Sequence, residues 1–324
     1  MIKRSFRRIW NTCLLLAMAL ASTSAYAQYP SRPVHVVVTF LPGGSADTLA
    51  RIVATKLSAA WGQPVIVENR AGAGGNIGAD FVAKSAPDGY TLMFTPPGPL
   101  AINWFLYKQM PFDPRTAFAP VSVLAIMPNI LVVGPRVSAR DIHEFVAYAK
   151  GNPGKLSYGS QGVGSTPHLT GEMLALAANI NIVHVPYKGF PPILADLLGS
   201  RLDFADSINA LPQLKAGKLR AIAVASSKRF YALDSTPTMI EAGFPDFVST
   251  TWMSFAAPAG TPPEIARKWH EELVKIVNLP DVQARFTALG VEAWASSPLE
   301  MQQQMDSEFK RWGEVVQRTG ARNN

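Results

Sequence analysis

Short apolar runs rich in β-branched residues alternate along this chain with stretches in which apolar residues recur every three or four positions. The first run, Val34–Thr39, ends in a Pro-Gly-Gly turn. In residues 48–61, which follow, Leu49, Ile52 and Leu57 share one helix face. This alternation of strand and helix is typical of an α/β fold with a parallel sheet.

The same pattern predicts elements along the rest of the chain. We expect strands at Val34–Thr39, Val65–Glu68, Thr91–Thr95, Val121–Ile126, Ile130–Val133, Leu156–Tyr158, Ile182–Val185, Leu202–Ala205, Leu219–Ala225 and Met253–Ala256. We expect helices at Thr48–Trp61, Ile77–Lys84, Ala139–Lys150, Thr166–Ala178, Ile193–Leu198, Pro263–Val277, Asp281–Leu289 and Pro298–Thr319. So many strands favour two smaller sheets, and a chain crossing between them twice needs hinges, which we place near Val121–Asn129 and Phe247–Phe255.

Residues 1–27 have the order of a cleavable secretory signal. Met1–Arg8 carries four basic residues and no acid, Cys13–Ala21 is a short apolar run, and Ala25–Ala27 forms an A-x-A site. Nine apolar residues cannot span a bilayer. We therefore predict cleavage before Gln28 and export to the periplasm.

Composition and charge narrow the function. The chain is 48% hydrophobic and 16% charged, which excludes a disordered protein. Without the signal, 26 basic residues face 23 acidic ones, so the charge does not argue for nucleic acid. Cys13, the only cysteine, leaves with the signal and lacks a lipoprotein box, so we expect no lipid anchor, disulfide, thiol nucleophile or cysteine metal site.

The first of three glycine-rich loops is Phe40–Asp47, between a strand and a helix. Ligands bind at such strand ends, and a helix N-terminus adds free N–H groups. Pro42, Gly43 and Gly44 let the backbone approach a ligand. Two hypotheses stay open. Either Ser45 caps the helix and Asp47 lies in its first turn, or Asp47 accepts a hydrogen bond from an amine or hydroxyl of the ligand.

The second loop, Ser157–Thr166, has the glycine spacing of a phosphate-binding loop, but Ser165 stands where the lysine belongs. A neutral cradle of amides and of the Ser160, Ser165 and Thr166 hydroxyls suits a carboxylate better than a triphosphate. The alternative is a plain glycine turn with Thr166 as helix cap.

The third loop, Arg70–Gly78, nearly matches a dinucleotide fingerprint, yet Ile77 replaces its last glycine, so a tight strand-to-helix turn is favoured and no cofactor is expected.

Catalytic motifs do not emerge from the sequence. Tyr158 lies where a G-x-S-x-G elbow around Ser160 needs glycine, and no histidine pair has the H-E-x-x-H spacing. His168 and Glu172 are predicted to form a surface pair on a helix, and His184 to be buried in a strand.

In sequence order, a set of motifs resembles the Bug-type (TctC-like) receptors of tripartite tricarboxylate transporters. These motifs are Phe40–Asp47, Val67–Arg70, Gly72–Ala79, Ala86–Tyr90, Pro99–Asn103, Asn152–Leu156, Tyr158–Ser160, Val183–Gly189, Ala216–Arg220, Pro237–Thr238, Glu241–Gly243 and Ala257–Pro262. The resemblance covers nearly the whole chain after the signal. It implies a type II periplasmic binding protein with two α/β lobes around a ligand cleft, lobe 1 being 28–125 with 253–324 and lobe 2 being 126–252.

The resemblance also implies the ligand site. The Phe40–Asp47 loop and the Ser160–Thr166 loop, with Gly162 and Gly164, would grip a carboxylate from opposite sides. Thr95 and Pro96 would border the cleft on lobe 1, and Tyr187, Lys188, Gly189 and Asp206 on lobe 2. Pro191 and Pro192 follow where smaller residues are usual, which predicts a bulkier wall.

We therefore expect a monomeric, non-enzymatic receptor that binds a di- or tricarboxylate, an acidic amino acid or an aromatic acid and passes it to a membrane permease. Two alternatives remain. One is an exported hydrolase of a small ester or amide, with Ser160 or Ser165 as nucleophile and His168 as base. The other is a sensing module for a membrane kinase. A bulky residue at Gly164 is expected to abolish binding with little change in melting temperature.

Overall fold

The computed structural model describes residues 29–322, and the predicted signal peptide 1–27 lies outside them. Within these described residues, eleven strands form two sheets, as the number of predicted strands favours. The strands are β1 (Val34–Val38), β2 (Val65–Asn69), β3 (Thr91–Thr95), β4 (Phe118–Pro128), β5 (Ile130–Val133), β6 (Leu156–Ser160), β7 (Ile182–Pro186), β8 (Phe204–Asp206), β9 (Arg220–Val224), β10 (Thr250–Pro258) and β11 (Glu292–Ala293).

The first sheet has the order β11-β4-β10-β3-β1-β2 and the second β7-β6-β8-β5-β9. We call the parts of the molecule built on them the first lobe and the second lobe. Strands β1, β2 and β3 pair in parallel, as do β6, β7 and β8. The prediction of parallel sheets is wrong for β4, β5, β9, β10 and β11, which pair antiparallel. These are mostly strands in the connections between the lobes, whose direction the apolar pattern alone does not reveal.

Helices cover both sheets. The longer ones are α1 (Ser45–Trp61), α2 (Asn76–Ala83), α4 (Ile142–Gly151), α5 (Thr166–Ala178), α6 (Phe190–Leu198), α8 (Pro263–Val277), α9 (Pro280–Ala288) and α10 (Pro298–Thr319). Two short ones are α3 (Asn103–Leu106), after a π-helical turn at Gly98–Ile102, and α7 (Leu211–Lys215). Within residues 29–322, no helix combines the length and apolarity needed to cross a membrane.

Local chemistry explains where the predicted helix starts shift. Helix α4 begins at Ile142, later than predicted, because the Asp141 side chain caps it by accepting from the Glu144 N–H at 2.8 Å. Helix α6 begins at Phe190, earlier than predicted, because Pro191 and Pro192 fall in its first turn, where no N–H is needed.

One cluster of buried apolar side chains runs through both lobes. It joins Val36 and Leu92 of the first sheet to Ile193 and Leu202 of the second lobe. Trp252, Trp269 and Trp312 are wholly buried, whereas Trp104 is 37% exposed.

The chain crosses between the sheets at two adjacent points. Asn129 is the only residue between β4 and β5, and its N–H donates to the Ser249 carbonyl just before β10, at 3.3 Å. The Asn129 amide also donates to the Ser249 hydroxyl at 3.0 Å. Both crossings fall within the segments predicted as hinges. The lobe boundaries themselves stay a prediction.

Candidate ligand-binding cleft

A cavity lies between the two lobes, and the empty space in it, including space open to solvent, is about 570 Å³. Its lining comes from the ends of β1, β3, β6, β7 and β8 and from the crossing strands. The lining residues are Phe40, Leu41, Gly44, Ser45, Ala46, Pro96, Met127, Asn129, Gln161, Ser165, Thr166, Pro167, Gly189, Phe190, Ser207, Ile208, Asn209, Thr251 and Met253.

Helix α1 begins at this cavity without a side-chain cap. Gly44 is its N-cap in extended conformation (φ −87°), and Ser45 is its first helical residue. The interpretation of Ser45 as the cap is therefore wrong. The first N–H group with a backbone partner is that of Thr48, which donates to the Gly44 carbonyl at 3.0 Å. The N–H groups of Ser45, Ala46 and Asp47 are left for an anion at the positive end of the helix dipole.

The Asp47 carboxylate organises the loop and does not line the cavity. It accepts hydrogen bonds from the Gly43 N–H at 3.1 Å, from Arg51 Nε at 2.9 Å and from Asn69 Nδ2 at 3.0 Å. Burial alone would raise the pKa of Asp47, but these bonds outweigh it and lower the pKa. Of the two hypotheses for Asp47, the geometry favours the one in which it serves the helix start.

Helix α5 brings a second N-terminus to the cavity. Ser165 is its N-cap and accepts from the His168 N–H at 3.4 Å, so the interpretation of Thr166 as the cap is wrong by one residue. Thr166 is instead the first helical residue. Its hydroxyl is buried and has no hydrogen-bond partner within residues 29–322. A buried hydroxyl that borders a cavity and lacks a partner is well placed for a ligand.

A third helix N-terminus, that of α6, contributes side-chain volume to the cavity wall more than it contributes N–H donors. Gly189 is its N-cap and lines the cavity with Phe190. Pro191 and Pro192 have no N–H groups, so two donors of the first turn are missing. Pro191 also faces the opposite loop: a Cβ on Gly43 would lie 3.7 Å from its ring.

The two lobes contact each other on both sides of the cavity. On one side, a Cβ on Gly189 would lie 3.3 Å from the Leu41 Cβ, and Asn209 Nδ2 is 3.5 Å from Ser45 Oγ. On the other, the Tyr107 hydroxyl donates to the Val163 carbonyl at 3.1 Å.

Gly164 lies at this lobe contact. Its φ is +88°, which L side chains rarely adopt, and an added Cβ would come within 1.8 Å of Asn103 Oδ1. The prediction that a bulky residue here leaves the melting temperature almost unchanged is therefore corrected. Any side chain at this position strains the backbone and collides with the first lobe.

The structure divides the predicted site residues into two groups. Those in the cavity lining are Phe40, Gly44, Ser45, Pro96, Ser165, Thr166 and Gly189. Those outside the lining are Pro42, Gly43, Asp47, Thr95, Ser160, Gly162, Gly164, Tyr187, Lys188 and Asp206.

Several residues of the second group have internal partners or lie away from the cavity. The Thr95 hydroxyl pairs with that of Thr39 at 2.8 Å, and the Tyr187 hydroxyl donates to Asp196 at 2.6 Å. Lys188 is exposed. Asp206 is 1% exposed, and neither carboxyl oxygen has a hydrogen-bond partner within the described chain. Burial raises the pKa of Asp206 well above its ordinary value.

Ser160 is buried behind the loop. Its hydroxyl lies 2.7 Å from His184 Nε2 and donates to the Gly162 carbonyl at 3.1 Å. His168 is also buried, so its prediction as a surface residue is wrong, and its Nδ1 accepts from the Gly164 N–H at 3.4 Å. Burial lowers the pKa of His168 to about 3 and that of His184 to about 4, so both rings are neutral supports of the loop.

Sequence reasoning missed the floor of the cavity. Met127, Asn129, Thr251 and Met253 come from the crossing strands and the residue between them. Ile208 and Asn209 follow β8 in a short 3₁₀ turn. None of them belongs to a glycine-rich loop. The predicted hinges contain Met127, Asn129, Thr251 and Met253 and could have pointed to these four residues.

Two α/β lobes joined by crossing strands around such a cleft are the architecture of periplasmic binding proteins. The profile of the family described as "Tripartite tricarboxylate transporter family receptor" (TctC) matches residues 49–321. The chain belongs to this family, whose members are periplasmic receptors and not enzymes. The hydrolase hypothesis is thereby excluded, and in the structure the partner of Ser160 is His184, not the expected base His168.

Individual relatives agree with this assignment. The chain is 37% identical to Protein BugT of Bordetella pertussis over 297 residues, 91% of each chain. Rpa4515 of R. palustris, solved with adipate, matches with a TM-score of 0.87 and 36% identity over 90% of this chain and 98% of its own. MatC of Rhodopseudomonas palustris, solved with bound malate, matches with a TM-score of 0.85 and 32% identity over 89% and 100%.

Proposed function

We propose that this protein binds a small carboxylate in the cleft between its lobes and delivers it to a membrane permease of a tripartite tricarboxylate transporter. Adipate and malate, which the two solved relatives hold, are both small carboxylates. Export through cleavage before Gln28 would place the receptor in the periplasm, where the permease meets it. The lobes 28–125 with 253–324 and 126–252 would close about the crossing strands.

One observation carries the proposal: the N-termini of α1 and α5 border the same cavity with donors left free. Ser45, Ala46 and Asp47 offer N–H groups, and Thr166 offers an N–H and a buried hydroxyl. Helix N-termini favour negative charge, and oriented amides need little rearrangement to bind it. A hydrogen bond to a charged group contributes about 1.5–3 kcal/mol, so a few such bonds support micromolar binding, about −8.2 kcal/mol.

Calorimetric titration with a panel of carboxylates tests the binding step. We expect saturable one-to-one binding of at least one member, with the ligand recovered unchanged. A protein that binds no carboxylate, with mass spectrometry of the native protein detecting none co-purified, contradicts the proposal.

The delivery step needs a separate test, because a sensing module would use the same cleft. Uptake of the bound carboxylate is measured in cells that lack the permease and in cells that lack the receptor. Transport requires both genes. A response to the ligand that survives loss of the permease supports the sensor instead.

A further inference from the structure

We propose that the first lobe contains a socket that holds the start of helix α5 in place for the ligand. The socket consists of Gly74, Gly98, Asn103 and Tyr107, and it contacts the Val163–Gly164 turn of the second lobe. Asn103 and Tyr107 are then positioning residues of the ligand site, although neither is among the residues that line the cavity. This inference rests on the proposed function, because it assumes that a carboxylate binds at the N-terminus of α5.

The third glycine-rich loop, Arg70–Gly78, contributes backbone to this contact. Gly74 has a φ of +61°, and a Cβ at this position would lie 2.4 Å from the Val163 carbonyl oxygen. A Cβ on Gly98 would lie 3.0 Å from the Gly164 carbonyl oxygen and 3.1 Å from that of Gly74. Glycine allows backbone segments to approach this closely because it has no side chain. The loop that nearly matches a dinucleotide fingerprint therefore forms part of the socket.

Two side chains complete the socket. The Tyr107 hydroxyl donates a hydrogen bond to the Val163 carbonyl at 3.1 Å. Asn103 is fully buried, and its Nδ2 donates to the Gly74 carbonyl at 3.0 Å. This bond orients the amide so that its Oδ1 lies only 1.8 Å from where a Cβ of Gly164 would be. The shape of the socket thus matches a turn that has glycine at position 164.

Hydrogen bonds connect the Val163–Gly164 turn to the start of α5. The Gly162 carbonyl accepts from the Ser165 N–H at 3.1 Å and from the Ser165 hydroxyl at 2.7 Å. Ser165 is the N-cap of α5, and Thr166 follows it. Gln161, before the turn, lines the cavity together with Ser165 and Thr166, after it. A shift of the turn in its socket would therefore displace polar groups on both sides of it that face the ligand.

An apolar contact behind the turn also holds α5 against the first lobe. Leu169, one turn into α5, is buried in a cluster with Ile102 and Leu106 of the first lobe and with Trp312 of α10. Val163 packs against the same cluster. The donors at the start of α5 are therefore supported by the first lobe as well as by their own sheet.

A double-mutant cycle tests whether the socket acts through these donors. The probe is the tightest binder among malate, adipate, citrate, glutamate and benzoate, and calorimetry gives its affinity. Y107F removes only the hydroxyl that bonds to the turn and is expected to weaken binding by about 2- to 10-fold. In a T166V background, which lacks the positioned hydroxyl, Y107F is expected to cause a smaller loss, because the two residues act on the same contact. Losses that simply add overturn the inference.

Tyr231 provides a matched control. Its hydroxyl also donates from one lobe to a backbone carbonyl of the other, that of Thr287 at 2.9 Å, but neither residue belongs to α5 or lines the cavity. Y231F is expected to keep the affinity within about twofold and to show no coupling to T166V. Equal losses in Y107F and Y231F would mean that any bond between the lobes has this effect, and they overturn the inference.

Hydrogen exchange in the ligand-free protein measures the positioning itself. The Ser165 N–H, which donates to the Gly162 carbonyl, is expected to exchange at least about twofold faster in Y107F than in the wild type, and at the wild-type rate in Y231F. An unchanged rate in Y107F contradicts the inference, because the turn would then be held without the socket.

The outcomes separate this inference from the proposed function. If the wild type binds none of the five acids, the proposed function fails and the inference fails with it. If the wild type binds one of them and either Y107F or T166V binds it equally well, carboxylate binding stands and the positioning role of the socket is wrong.

Discussion

Replacing Thr166 with valine isolates the donor on which the proposed carboxylate site depends most. Valine keeps the shape and β-branching of threonine and removes only the hydroxyl, which is buried and lacks a partner. A charge-assisted hydrogen bond contributes about 1.5–3 kcal/mol, so T166V is expected to weaken carboxylate binding by about 10- to 150-fold. In the ligand-free protein, removing an unpartnered buried hydroxyl costs nothing and can add up to about 1 kcal/mol of stability.

Thr170, one turn further along α5, provides a matched control. Its hydroxyl is fully engaged, donating to the Thr166 carbonyl at 2.9 Å and lying 2.6 Å from the Ser249 hydroxyl. T170V is therefore expected to lower the free energy of unfolding by about 1–3 kcal/mol. Calorimetry of binding and urea denaturation of both variants give the comparison. If T166V binds its ligand as tightly as the wild type, Thr166 is not part of the site.

Three further predictions concern the surroundings of the cleft. Between pH 7 and pH 4.5 the free energy of unfolding is expected to fall by at least about 2 kcal/mol, because His168 and His184 have native pKa values of about 3 and about 4 and bind protons near pH 6.5 only in the unfolded chain. In H184Q the free energy of unfolding is expected to depend less steeply on pH, and an unchanged dependence contradicts the prediction. Gly164→Ala is expected to lower the melting temperature by several degrees through strain and its contact with Asn103. Gly151→Ala, with nothing within 4 Å of the new Cβ and in a helix where alanine is favoured, is not expected to lower it, and equal losses refute the lobe contact. Asp206→Asn is expected to keep ligand affinity within about twofold, since the side chain is outside the lining, and a loss above tenfold in calorimetry places it in the site.

Much of the fold follows from local patterns. The helices Thr166–Ala178, Pro263–Val277 and Pro298–Thr319 begin and end where predicted, because proline near the N-terminus marks each of them and an apolar face marks the last two. The strand directions could not be predicted from local patterns. Strands β4 and β10 pair across more than a hundred residues of chain, and the local sequence of each is that of any buried strand.

For the site, sequence reasoning predicted which loops border the cavity but not the role of each residue in them. The glycine-rich loops at Phe40 and Ser160 do border the cavity, because strand ends precede helices there. Yet the N-caps are Gly44 and Ser165, so Ser45 and Thr166 are the first helical residues and not caps. The floor residues Met127 and Met253 depend on long-range pairing, which no local pattern encodes.

The most direct test of carboxylate binding is the crystal structure of the receptor with its tightest carboxylate. The N-termini of α1 and α5 should then contact one carboxylate group. The Ser45–Asp47 N–H groups and the Thr166 hydroxyl are expected within about 3 Å of its oxygens or of a single bridging water. The rest of the molecule is expected to lie against Phe190 and Met253. A carboxylate held instead by Lys188, or located outside the cleft, contradicts the account.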